Sequence, residues 1–138
     1  MSDSSTTAFL TTLWRMIDSV ADSRMETLRT GLGAEFNNPF TGKKERCQPD
    51  GAAAAVHELL AKLPERERNE LIASFEVLLR ETAMAPIFHL LSAFDGEGYF
   101  ENEAFFEVHD HASGRTLEGL HEAFFPLGSR RSRKKRSE

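Results

Sequence analysis

The chain has 138 residues, 40% of them apolar, one cysteine and a formal net charge of −5. That size suits one domain, and that apolar content is too high for wholesale disorder. No apolar run approaches the roughly 18 residues that cross a bilayer, residues 1–7 lack the basic-then-apolar pattern of a secretory leader, and Cys47 alone builds neither a disulfide framework nor a Cys-rich zinc site; the expected setting is the cytoplasm, without membrane attachment.

Ser4, Ser5 and Thr6 are helix-capping types ahead of an apolar pattern. From Phe9 the period is helical: Leu10, Leu13, Trp14, Ile17, Val20, Ala21, Met25 and Leu28 recur at three and four, and Gly31 and Gly33 stop the run. Residues 34–50 have no period and contain the turn signals Asn37-Asn38-Pro39, Thr41-Gly42 and Pro49-Asp50-Gly51. Phe36 and Phe40 are candidate anchors for this long loop and a candidate partner contact. Asp50 is the expected N-cap of a second helix running to Lys62. A third begins after Pro64, carries Leu71, Ile72, Phe75, Leu78 and Leu79 on one stripe, and should end or kink at Pro86.

Residues 87–94 are apolar nearly all round, and their spacing favours a short buried helix over a strand. Asp95-Gly96-Glu97-Gly98 is a turn. Residues 104–110 carry the strand signal, residues 112–114 turn the chain again, and a last amphipathic helix is expected from Thr116 until Pro126 and Gly128. The end of the chain reverses the charge. Arg130, Arg131, Arg133, Lys134, Lys135 and Arg136 crowd into residues 129–138, leaving residues 1–128 with 11 basic and 21 acidic side chains, net −10. The expected organisation is one acidic domain over 1–128 and a basic, disordered tail over 129–138.

Three groups could carry chemistry. His109 and His111 would share one face of a strand with Asp110 between them, and with Asp110 or Asp95 they could hold a divalent metal, the one cofactor admitted by the sequence. No HEXXH or helical i, i+4 histidine pair supports this, and solvated histidines are the commoner outcome. His89, among Phe88, Leu90 and Leu91, reads as a core-edge residue, and His121 as a helix-surface one. Residues 95–122 hold eight acidic side chains and one basic, Arg115. Asp95, Glu97, Glu101 and Glu103 begin this stretch and offer an anionic contact surface. The basic tail suits phosphate contact but has no interleaved aromatics to stack bases; if nucleic acid is bound, the tail binds it. Cys47 lies near Lys43, Lys44 and Arg46, but a lone loop cysteine is usually inert.

The segments Phe88-His89-Leu90-Leu91, Phe94-Asp95-Gly96, Phe106-Glu107-Val108, Ser113-Gly114 and Leu120-His121-Glu122 with Phe124-Phe125 resemble a group of small bacterial proteins. These combine a helical first half with an apolar segment ending in Asp-Gly, a strand, and a closing Leu-His-Glu helix. The resemblance spans about residues 84–125 and implies a bacterial cytoplasmic origin and an α+β fold. It brings no activity. Acidic domains of this size also resemble toxin-immunity proteins in charge and length alone.

The sequence therefore predicts an α+β fold, mainly α, of four or five helices with a small β-hairpin or short sheet in the C-terminal half. It favours a non-enzymatic protein-binding module with an acidic surface for a basic partner. The alternatives are a small metal-dependent enzyme using His109, His111 and Asp95 or Asp110, and nucleic-acid tethering by the tail. Trp14 or the Phe36/Phe40 pair are candidate contacts for a second subunit, whose existence the sequence leaves open.

Overall fold

The computed structural model describes residues 4–98 and 100–137, with side chains described as far as residue 128. Among the described residues the chain forms four α-helices and one two-stranded antiparallel sheet, the mainly helical α+β class that the sequence predicts. The helices are α1 (Ser4–Thr30), α2 (Gly51–Leu60), α3 (Glu65–Phe94) and α4 (Leu120–Ser137); the strands are β1 (Glu35–Asn37) and β2 (Lys44–Arg46). None of the described helices is long and apolar enough to cross a membrane. Contacts divide the chain into two compact units. Unit 1 combines Met1–Ile17 with Met84–Glu138, and unit 2 is Asp18–Ala83.

In unit 2, Ala21, Met25 and Leu28 of α1 are buried at spacings of four and three, the stripe a helix needs to seal one side. Met25, Leu28 and Ala53 form a small core, packed by Val56, Ile72, Phe75 and Leu79. The helix ends as its glycine requires. Gly31 adopts φ +75° and its N–H bonds the Thr27 carbonyl at 2.8 Å, a left-handed cap that other residues adopt with strain. Asp50 caps α2 as predicted, accepting from the backbone N–H of Ala52 at 2.9 Å and of Ala53 at 3.3 Å. Arg80 bonds Asp18 at 2.7 Å and Asp22 at 2.8 Å.

Unit 1 is built on aromatic packing. Leu10, Trp14 and Ile17 of α1, Leu91 and Ala93 of α3, and Leu117, Leu120 and Phe124 are its buried apolar residues. Trp14 stacks on Phe124 with ring centroids 4.4 Å apart and planes 12° from parallel, while its indole N–H donates to the Phe124 carbonyl at 2.9 Å. Gly128 lets the chain pass this ring: a Cβ there would lie 2.3 Å from Trp14 Cζ2. Trp14 is thus a core residue rather than an exposed subunit contact.

Four local expectations change. The sheet lies at residues 35–46, in the segment read as a loop, with Glu35 opposite Arg46 and Asn37 opposite Lys44. All six strand residues are exposed, so no apolar alternation marks them. The turn signals do: Gly42, at φ +68°, donates to the Asn38 carbonyl, and the Asn38 side chain accepts from the Phe40 N–H. Residues 104–110 form no strand, only an isolated bridge between His109 and Thr116. Asn102 and Glu103 enter the left-handed region just before this segment, and Asp110 folds the chain back just after it, so no partner strand extends the pairing beyond that one bridge. Phe40 anchors nothing, being 95% exposed, and Phe36 is also exposed. Pro126, expected to end the last helix, lies inside α4, and at Pro86, expected to end or kink the third helix, α3 does not end. α4 runs on to Ser137; the side chains of the basic cluster from Arg130 to Arg136 lie outside the described residues.

Candidate functional site

The site in unit 1 grows from the end of α3. Gly96 takes φ +82°; its N–H bonds the Ala93 carbonyl at 3.1 Å, and the Glu97 N–H bonds the Ser92 carbonyl at 2.9 Å. These paired bonds are a Schellman motif, which wants glycine at its left-handed position. Asp95-Gly96-Glu97 is therefore a fixed turn with a carboxylate on either side of the glycine.

Between these carboxylates stands His121, the second residue of α4. Its backbone N–H donates to Asp95 Oδ2 at 2.8 Å, its ring Nδ1 bonds the same oxygen, and its Nε2 lies 2.8 Å from Glu97 Oε2. Asp95 thereby satisfies an N–H of α4's first turn that has no partner within the helix, and a carboxylate is favoured at that positive helix end. The Asp95 side chain is 6% exposed, that of His121 13% and that of Glu97 61%. Phe88 meets the imidazole edge-on, centroids 6.2 Å apart.

Carboxylates only accept, so the imidazole state that satisfies both neighbours is the doubly protonated one. The hydrogen bond to Asp95 raises the His121 pKa above its usual value; burial opposes this, and the charges of Glu97, Asp95 and Glu122 reinforce it. The Glu122 carboxylate is close by: one ligand atom each from Glu97, His121 and Glu122 lie within 4.8 Å of one another. The three open onto a groove of about 380 Å³, whose walls include Phe94, Phe105, Glu107 and Glu118. Its described lining has five carboxylates and no lysine or arginine. Chemically, such a place can hold a cation, or hold and release a proton at His121 Nε2.

The residues singled out in the sequence have different fates. Asp95 is structural and inward, and Glu97, Glu101 and Glu103 are exposed. His109, Asp110 and His111 do not assemble. Among the described residues, the one group of three or more donors with metal-binding spacing is Glu97, His121 and Glu122. His109 bonds Thr116 at 3.2 Å and approaches Glu107 at 3.4 Å; His111 sits exposed in a turn. Asp110 is occupied by the Ser5 hydroxyl and by the N–H groups of Ala112 and Ser113. These bonds, led by that from Ser5, hold its carboxyl below the usual range. His89 is exposed rather than at a core edge, and His121 is largely covered rather than on a helix surface. Phe36 and Phe40 belong to unit 2. Sequence reading also missed Glu107, Glu118 and Glu122; one usable signal was Asp-Gly at a helix end, which announces the turn that holds two of the carboxylates.

Unit 2 has a different concavity, of about 490 Å³, with Leu28, Ile72, His57, Arg29, Arg68 and Asn69 in its walls. His57 Nδ1 pairs with the Leu28 carbonyl at 2.8 Å, and Arg29 bridges Glu76 at 3.4 Å.

No protein-family model, curated protein or solved structure matches the chain.

Proposed function

We propose that the chain is a protein-binding module whose unit 1 groove receives a positively charged segment of a partner protein. One observation carries this reading: the five carboxylates Asp95, Glu97, Glu107, Glu118 and Glu122 share a groove lined by no described lysine or arginine. Phe105 and Phe106, 59% and 54% exposed, give the same region apolar surface, and interfaces combine aromatic contact with a polar rim. Such complementarity acts mainly on the rate of encounter, raising it at low salt and losing the gain as ions screen it.

The reading is tested with an arginine- and lysine-rich peptide titrated onto the full chain in metal-free buffer. Association should be fast at low salt and slow steeply between about 10 mM and 150 mM salt, as the screening length shrinks. Glu107→Gln with Glu118→Gln should weaken binding about tenfold, in line with the loss of one or two close charge pairs. Binding that ignores both salt and this double variant overturns the reading.

A further inference from the structure

We propose that Glu97, His121 and Glu122 form a site for one divalent transition-metal cation such as Zn²⁺ or Mn²⁺, with Asp95 as the residue that positions the histidine. This goes beyond the peptide-binding reading and does not depend on it.

The arrangement is more than a group of acids. A metal-ligating imidazole is characteristically fixed by a carboxylate on its other nitrogen, which sets the tautomer, orients the ring and raises its basicity. Asp95 does this here. Its Oδ2 accepts from both Nδ1 and the backbone N–H of His121, and its side chain is 6% exposed. Nε2 is thereby the nitrogen aimed at Glu97, with the Glu122 carboxylate within the same 4.8 Å set. Two features of the backbone hold the donors: the Schellman turn that contains Glu97, and the first turn of α4, which supplies His121 and Glu122.

The electrostatics agree. A divalent ion held by His121 Nε2, Glu97 and Glu122 would bring two positive charges to a place where the carboxylates of Asp95, Glu97 and Glu122 converge and no described lysine or arginine lines the groove. One nitrogen and two carboxylates match zinc and manganese chemistry. Three protein ligands leave coordination positions free on the groove side, the pattern of a site open to solvent or substrate rather than of a closed structural one.

Two other features of the molecule are weaker. The concavity of unit 2 holds arginines, but Arg29 is committed to Glu76. The exposed apolar residues of α3, Leu71, Val77, Leu78 and Leu90, have nothing in the structure to indicate what covers them.

The test is calorimetric titration of the metal-stripped full chain with ZnCl₂ and, separately, MnCl₂. One equivalent of at least one ion is expected to bind. Glu97→Gln with Glu122→Gln changes exposed side chains only and should cost at least tenfold in affinity. Asp95→Asn should cost about 10- to 100-fold, the range for losing such a positioning carboxylate. His109→Ala with His111→Ala should leave affinity unchanged. The proposal is overturned if neither ion binds at millimolar concentration, if binding survives the paired Gln variant undiminished, or if the His109/His111 variant abolishes it. Because the peptide test uses metal-free buffer and the Glu107/Glu118 pair, failure of one proposal is distinguishable from failure of the other.

Discussion

His57 in unit 2 and His121 in unit 1 are held in contrasting ways. In unit 2, His57 is tied to a neutral partner, the Leu28 carbonyl, and its ring backs onto Gly31, where a Cβ would come within 2.8 Å. In unit 1, His121 is tied to two carboxylates. The first arrangement is a strut. The second couples a proton to the fold, because the neighbours prefer the charged ring. The surroundings differ too: a mostly aliphatic core and an arginine–carboxylate network in unit 2, and stacked aromatic rings in unit 1.

The contrast can be broken most severely at the cores. Phe124→Ala removes the partner of Trp14 and should cost about 3–5 kcal/mol, read by denaturant unfolding. Met25→Ala, its counterpart in unit 2, should cost about 2–5 kcal/mol. If the units unfold as one, both variants shift a single transition; if not, each shifts its own. Gly128→Ala pushes a methyl into the Trp14 ring and should cost about 1–3 kcal/mol, although alanine favours helix. Arg80→Ala should cost about 1 kcal/mol, with the loss shrinking in high salt, because the network is partly exposed.

The gentlest probe is pH. The folded-state pKa of His121 is raised, so folding takes up a proton between the ordinary histidine value of about 6.5 and that higher value. The stabilisation is fully present below about 6.5 and is lost as pH rises through the folded pKa. Unfolding free energy measured from pH 6 to 9 should decline with a limiting slope of one proton. His121→Gln should flatten that decline, which tests whether its pairing with Asp95 and Glu97 couples a proton to the fold.

Where a local rule and the fold agree, the sequence is readable. The α1 stripe, the Gly31 stop, the Asp50 cap and the helical spacing of residues 87–94 all agree with the structure. The hairpin was hidden because its six strand residues face water, so burial leaves no alternation; residues 104–110 alternate well enough but lack a partner strand. Pro126 misled because a helix can absorb one missing N–H. Gly128 misled because a glycine that ends a helix and a glycine that makes room for a ring look alike in one dimension. Asp95 and His121 lie 26 positions apart, and only folding shows that they share a hydrogen bond. The acidity of residues 95–122 was visible; its convergence on one groove was not.

Trp14 is the only tryptophan in the chain, and it lies face to face with Phe124 inside unit 1. Intrinsic fluorescence is therefore a reporter for that unit alone, while far-ultraviolet circular dichroism sums the helices of both. Superimposable melting curves from the two signals would mean one cooperative molecule; an emission change that leads or lags the loss of helix would show that the halves come apart in sequence.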